Sequence, residues 1–174
     1  GNKASSVVCC EKYILVLSSK GEVFHSLIEP KGIFKSTLVS ELSKQVITCI
    51  SGTFEHSLAV SEKGRVFGRG SNECGELDLN QESDSKFTEI STLCNYKIKA
   101  VYAGYNHSLF ETQKGKILSC GHNHYGQLLM NNNSCEKLLR ETKIVDASLC
   151  IAGYNISAVF IGSSPPNMPN KRIP

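Results

Sequence analysis

Residues 52–77 and 104–128 are two copies of one pattern, and that repetition limits the folds open to the chain more than any other feature. The first copy reads GTFEHSLAVSEKGRVFGRGSNECGEL and the second GYNHSLFETQKGKILSCGHNHYGQL. His56 and His107 lie 51 residues apart, as do Gly64 and Gly115, Gly70 and Gly121, Asn72 and Asn123, and Gly75 and Gly126. A single interval shared by five positions marks a true internal repeat. Gly52 and Gly104 open the two copies. A worn copy precedes them: Gly21 follows Tyr13 by eight residues, as Gly64 follows His56, and Gly32 follows Gly21 by eleven, as Gly75 follows Gly64. Ala152-Gly153 begins a half copy, YNISAVFI, with Ile156 in the histidine place.

Each copy reads as short strands and turns. ITCI before Gly52 and IKAVYA before Gly104 are apolar runs, followed by HSLAVS and HSLFET, then RVFGR and KILSC. Glu62-Lys63-Gly64 predicts a tight hairpin in which glycine supplies positive φ. Polar loops, LNQESDSK and NNNSCEK, follow Gly75 and Gly126. KFTEI and KIVDA are candidate fourth strands, and KIVDA could equally open the next copy. Ser40 to Gln45 gives a weak helical hint. Four short strands in about 50 residues describe one blade of a β-propeller, which buries its two faces only by stacking on neighbours.

The predicted fold is therefore all-β, a partial β-propeller of about three and a half four-stranded antiparallel blades. Their approximate spans are 7–45, 46–97, 98–142 and, in part, 143–162. Residues 163–174, with four prolines in the last ten, read as an extended tail. The structural repeat positions are Gly52, His56, Gly64, Gly70, Gly75, Gly104, His107, Gly115, Gly121, Gly126 and Gly153.

Charge and cysteines narrow the function. The net charge of +3 is mild and spread along the chain, which gives no argument for direct nucleic-acid binding. No run approaches the roughly 20 apolar residues that span a bilayer, and the opening residues do not resemble a secretory signal. Eight cysteines could form a disulfide framework, but a chain of this length can build a core without staples. Reduced core cysteines are the preferred reading, which points to the cytosol or nucleus. Cys9 and Cys10 are adjacent and the others stand at least 15 residues apart, so the cysteines alone do not compose a zinc site. His122 and His124 flank Asn123, and a metal there would need further ligands that spacing does not reveal.

No catalytic or cofactor motif emerges. There is no phosphate loop of the GxxxxGK[ST] type, no GxSxG elbow and no Cys-His signature. The glycines of GRGSNECG are better explained by the repeat than by dinucleotide binding. His56 and His107 correspond to Tyr13 and Ile156, so the repeat demands no shared chemistry and they read as structural. The expectation is a non-enzyme with no catalytic, cofactor or metal residues. Loops Ser71–Glu76 and His122–Gln127 occupy equivalent places in two blades, making Asn72, Glu73, Glu76, His122, Asn123 and His124 the candidate partner-binding residues.

AGYNHSL at 103–109, GKILSCG at 115–121 and NHYGQL at 123–128, with SGTFEHSL at 51–58 and NECGEL at 72–77, resemble the regulator of chromosome condensation repeat family. The resemblance covers roughly residues 7 to 162. The family's usual Trp before Gly is Arg69 in one copy and Cys120 in the other, and its Gly after Gln-Leu is Asp78 or Leu129. The worn copy has Leu27 at its Trp-Gly place. Its best-known fold closes seven blades, against about 3.4 here at 51 residues each. The chain is then a piece of a longer propeller, a partner of another chain that covers its open sides, or a short open propeller. The resemblance implies a protein-binding scaffold first. It also admits guanine-nucleotide exchange on a small GTPase, though no inserted loop stands ready as a wedge, and a chromatin-associated role.

Overall fold

The computed structural model describes residues 3–27, 35–79 and 83–162. Gly32 and the tail at 163–174 lie outside them. Blade 1 comprises β1 (Ala4–Cys9), β2 (Tyr13–Ser18), β3 (Val23–Leu27) and β4 (Thr37–Leu38). Blade 2 follows with β5 (Ile47–Gly52), β6 (His56–Ser61), β7 (Val66–Ser71) and β8 (Ser83–Glu89). Blade 3 holds β9 (Ile98–Ala103), β10 (His107–Thr112), β11 (Ile117–Gly121) and β12 (Glu136–Glu141). A two-stranded sheet, β13 (Ala147–Ala152) with β14 (Ser157–Ile161), forms blade 4. Every strand pairs antiparallel with its chain neighbour. The helical hint at Ser40–Gln45 becomes one 3-10 turn, Ser40–Leu42, repeated at Ser91–Leu93 in the next inter-blade connection.

One expected strand moves. The fourth strand of blade 3 is Glu136–Glu141, not 143–147. It runs mostly exposed along the sheet edge, so it needs no apolar alternation and carries Glu136, Arg140 and Glu141 instead. Lys143 to Asp146 become the connection into blade 4, with Asp146 at φ 57°, and Ala147 opens β13.

Side chains alternate across each strand, so each blade feeds two cores. Leu58 and Val60 of β6 face blade 3, in a cluster with Ile98, Val101, Phe110 and Leu118. Ala59 and Phe67 face blade 1 and meet Leu15, Val23, Ile47 and Ile50. Leu109 and Ile117 turn the other way, to Ala147 and Cys150 of blade 4. All six residues of β6, and all six of β10, are buried. Blade 4 is different: Ile151, Ile156, Phe160 and Ile161 are exposed.

The repeated glycines dock one blade on the next. Gly64 and Gly115 have φ of 77° and 72°, and Gly21 matches them at 81°. Their carbonyls accept hydrogen bonds from the head of the following blade: Ile47 N to Gly21 at 2.9 Å, Ile98 N to Gly64 at 3.3 Å, Ala147 N to Gly115 at 3.0 Å. A Cβ on Gly64 would stand 3.0 Å from Ile98 N, so both conformation and space require glycine.

A polar clasp repeats at the same boundaries. Tyr13 Oη lies 2.8 Å from Ser57 Oγ, His56 Nε2 2.9 Å from Ser108 Oγ, and His107 Nε2 2.9 Å from Ser157 Oγ. The residue at the histidine place of one blade thus reaches the serine of the next. At the ends, Ile14 occupies the serine place and Ile156 the histidine place, and neither side chain can extend the chain of clasps. Both histidines are fully buried, and their Nδ1 atoms have no hydrogen-bond partner among the described residues. Burial first, and then the charge of His107, pushes the pKa of His56 down to about 3. Burial and then His122 hold His107 at about 4. Both rings are therefore held in the neutral form near pH 7, each with one nitrogen engaged in the clasp.

None of the eight cysteines is joined in a disulfide. Cys120 fills the place of the family's Trp with no exposure, its thiol 3.4 Å from the Glu76 carbonyl, and burial raises its pKa well above normal. Arg69, at the same place one blade earlier, lies over the Tyr13 ring at 4.4 Å. No helix among the described residues is long and apolar enough to cross a membrane.

Candidate protein-interaction face

Antiparallel order sends the β5–β6 and β7–β8 loops to one end of blade 2, and the glycine hairpins to the other. The first-strand loops of successive blades stack at the loop end. Glu11 N donates to the Phe54 carbonyl at 3.2 Å, Thr53 Oγ1 to the Gly104 carbonyl at 2.7 Å, and Tyr105 N to the Tyr154 carbonyl at 3.2 Å. This stacking brings together three rings, each two residues before the histidine place of its blade. Phe54 and Tyr105 have ring centroids 5.6 Å apart, and Tyr105 and Tyr154 are 4.3 Å apart. Phe54 is 44% exposed and Tyr154 65%.

Two clefts flank this aromatic ladder. One of about 340 Å³ is lined by Thr53, Phe54, Tyr105, Gly153 and Tyr154. The other, about 390 Å³, runs between blades 1 and 2; Glu11, Lys12, Phe54, Glu55, Arg69 and Glu73 contribute to its walls. The neighbouring Tyr154 phenol, more than burial or the more distant Glu55 and Glu11, raises the pKa of Tyr105. The surface is apolar at the ladder and bears charges of both signs at its edge.

The six candidate partner-binding residues divide. Asn72, Glu76 and Asn123 are buried, and their side chains serve the loop itself. Asn72 donates to the Leu79 carbonyl at 2.6 Å and accepts from Leu77 N at 2.9 Å. Asn123 repeats this with Asn132 and Leu128, at 2.7 and 2.9 Å. Glu76 accepts from Cys74 N at 2.9 Å, as Gln127 accepts from Tyr125 N at 3.0 Å. Turn backbones need acceptors, and these side chains supply them. Glu73 and His124 are exposed, His122 is partly so, and Glu73 lines the blade 1–2 cleft.

His122 and His124 meet edge-on, with His124 Nδ1 and His122 Nε2 2.6 Å apart. Gln127 Nε2 lies 3.0 Å from His122 Nδ1. Since Gln127 Oε1 already accepts from Tyr125, its amide donates to His122 Nδ1, and the His122 proton resides on Nε2, shared with His124. Cys135 Sγ stands 4.0 Å from His124 Nε2.

The ladder was not anticipated, although its signal is in the sequence: an aromatic residue two places before positions 56, 107 and 156. The hairpin end carries a larger cleft of about 590 Å³, with Lys97, Lys114 and Lys116 on its walls. Lys116 is ion-paired with Glu141 at 2.5 Å.

The sequence profile of the Regulator of chromosome condensation (RCC1) repeat matches residues 47–76 and 98–127, the first three strands of blades 2 and 3 with their loops. The chain belongs to the RCC1-repeat family. Among relatives of this RCC1-repeat chain is human "Probable E3 ubiquitin-protein ligase HERC6", 37% identical over 92 residues, which are 52% of this chain and 9% of that protein. Another is the Bos taurus "Secretion-regulating guanine nucleotide exchange factor", 36% identical over 80 residues, 45% of this chain and 17% of that one. The RCC1-repeat chain thus spans less than a fifth of either relative. In architecture it is similar to Saccharomyces cerevisiae Prp20p, with a TM-score of 0.75 at 17% identity, over 90% of this chain and 43% of that one. The three four-stranded sheets and the two-stranded sheet match part of an RCC1 propeller.

Proposed function

We propose that this RCC1-repeat chain acts by binding a protein partner, without catalysis, and that the partner docks across the loop end on Phe54, Tyr105 and Tyr154. The carrying observation is the line of stacked rings over three blades, with Phe54 and Tyr154 exposed and Tyr105 half-buried between them. Large apolar side chains held rigidly at the surface are the usual anchors of protein interfaces. Glu11, Glu55 and Glu73 share the adjoining cleft with Lys12 and Arg69, so charges of both signs border the apolar contact. Capture with the folded chain as bait tests the reading. A partner retained at micromolar concentration should weaken about tenfold or more with Tyr105→Ala and Tyr154→Ala together. No capture by the well-folded chain, or unchanged affinity in the double variant, refutes it.

The resemblance to a guanine-nucleotide exchange factor supports a second reading, in which the partner is a small GTPase. Release of a fluorescent nucleotide from a panel of small GTPases decides it, and no acceleration removes it. Prp20p is described with its binding to Gsp1p and histones, which keeps a chromatin role in view. Failure to bind nucleosomes at any salt concentration ends that role. Unpaired thiols fit a cytosolic or nuclear setting. The exposed Ile151, Ile156, Phe160 and Ile161 call for cover by further blades or by another chain, which the molar mass in solution will report.

A further inference from the structure

We propose that His122, His124 and Cys135 form a divalent-metal site of the zinc type on the β11–β12 loop of blade 3. One ring nitrogen from each histidine and the Cys135 sulfur all lie within 4.8 Å of one another. Imidazole nitrogen and thiolate sulfur are the donors that borderline ions such as Zn²⁺ select over hard cations. His124 and Cys135 are exposed and His122 is partly so, which leaves the ligands open to an ion from solvent.

The loop is built to bring them together. His122 and His124 stand on either side of Asn123, whose buried side chain ties the backbone of Asn132 to that of Leu128. The return of the chain toward β12 therefore passes the histidines, and Cys135 arrives beside them eleven residues after His124. Blade 2 lacks the set: Ser71 and Glu73 stand where His122 and His124 do. The cluster is thus not required by the RCC1 repeat, whereas Asn72 and Asn123 are common to both loops.

Ion binding requires only side-chain movement. A tetrahedral ion with bonds of about 2.0–2.1 Å to nitrogen and 2.3 Å to sulfur holds its ligand atoms about 3.3–3.7 Å apart. With His122 Nε2 and His124 Nδ1 as ligand atoms the two rings open by less than an ångström from 2.6 Å, and the exposed thiol turns from its place beside His124 Nε2 toward the ion. The thiol proton leaves to solvent, and His122 carries its remaining proton on Nδ1. That proton needs an acceptor, and Gln127 now presents its amide there as a donor. Gln127 is a positioning residue that works against the metal-bound tautomer. A carboxylate in its place would accept the proton and support the ring. Glu76 shows that a glutamate fits, since it fills the equivalent place in blade 2. A water completes the fourth position.

Cobalt titration of the reduced, metal-free chain tests the site. The expected result is one Co²⁺ per chain, with tetrahedral d–d bands and a near-ultraviolet thiolate-to-cobalt band that Zn²⁺ abolishes on displacement. Cys135→Ser should lose the thiolate band, and His124→Ala should weaken Co²⁺ binding about tenfold or more. Gln127→Glu should keep the band and tighten binding severalfold. Circular dichroism checks that each variant remains folded. Absence of the band in the wild-type chain, or its persistence unchanged in Cys135→Ser, overturns the proposal. So does Co²⁺ binding that Gln127→Glu weakens while the fold is intact.

Discussion

The boundary between blades 2 and 3 and the boundary between blades 3 and 4 use the same chemistry in different surroundings. At both, a histidine donates to or accepts from the serine of the next blade at 2.9 Å, and a hairpin glycine accepts from the next blade's first strand. At the first boundary Ser108 is wholly buried among apolar side chains from two four-stranded sheets. At the second, Ser157 belongs to a two-stranded sheet whose outer side chains remain exposed. The hydrogen bond and the hairpin specify how blades align, while the depth of burial that stabilises them comes from strands farther out. Register is local to the repeat; stability is shared between neighbours.

The largest contrast should come from the core. Phe110 has no exposure, and Phe110→Ala should cost about 3–5 kcal/mol in chemical unfolding. Phe160 is 46% exposed, and Phe160→Ala should cost less than about 1 kcal/mol. Equal losses would break the contrast. Next comes acid. His56 and His107 have folded-state pKa values of about 3 and about 4, below the ordinary 6.5. The unfolded chain therefore binds protons that the folded chain refuses. Their stabilisation is intact above pH 6.5 and is lost as pH falls from there toward about 4, at up to about 1.4 kcal/mol per pH unit for each histidine. The melting temperature measured from pH 7 to 4.5 should fall accordingly, and His56→Gln should flatten the slope. Smaller again, Asn123→Ala should cost about 1–3 kcal/mol, because Leu128 N loses its buried acceptor. Asn72→Ala should match it within experimental error if the two loops are equivalent.

The sequence is most informative where the backbone itself makes the demand. Gly64, Gly115, Gly70 and Gly121 mark bends with positive φ, and with the apolar runs between them they located three strands in each central blade. The fourth strand of blade 3 was hidden because an exposed edge tolerates Glu136, Lys137 and Arg140, which look like a loop. The burial of Asn72, Glu76 and Asn123 was hidden for the opposite reason: polar side chains suggest a surface, yet turns consume them internally. The clasp was half legible, since the His-Ser pairs were plain but their partners lie about 50 residues away in the next blade. Cys135 escaped notice beside His122 and His124 because only the Asn123–Asn132 tie folds that loop back.

The account rests on blades being joined through the histidine-to-serine clasp, and a double-mutant cycle on His56 and Ser108 tests it most directly. His56→Ala, Ser108→Ala and the double variant, compared by equilibrium unfolding, should give a coupling energy of about 1–2 kcal/mol. Additive losses, with coupling indistinguishable from zero, would contradict the clasp as the link between blades.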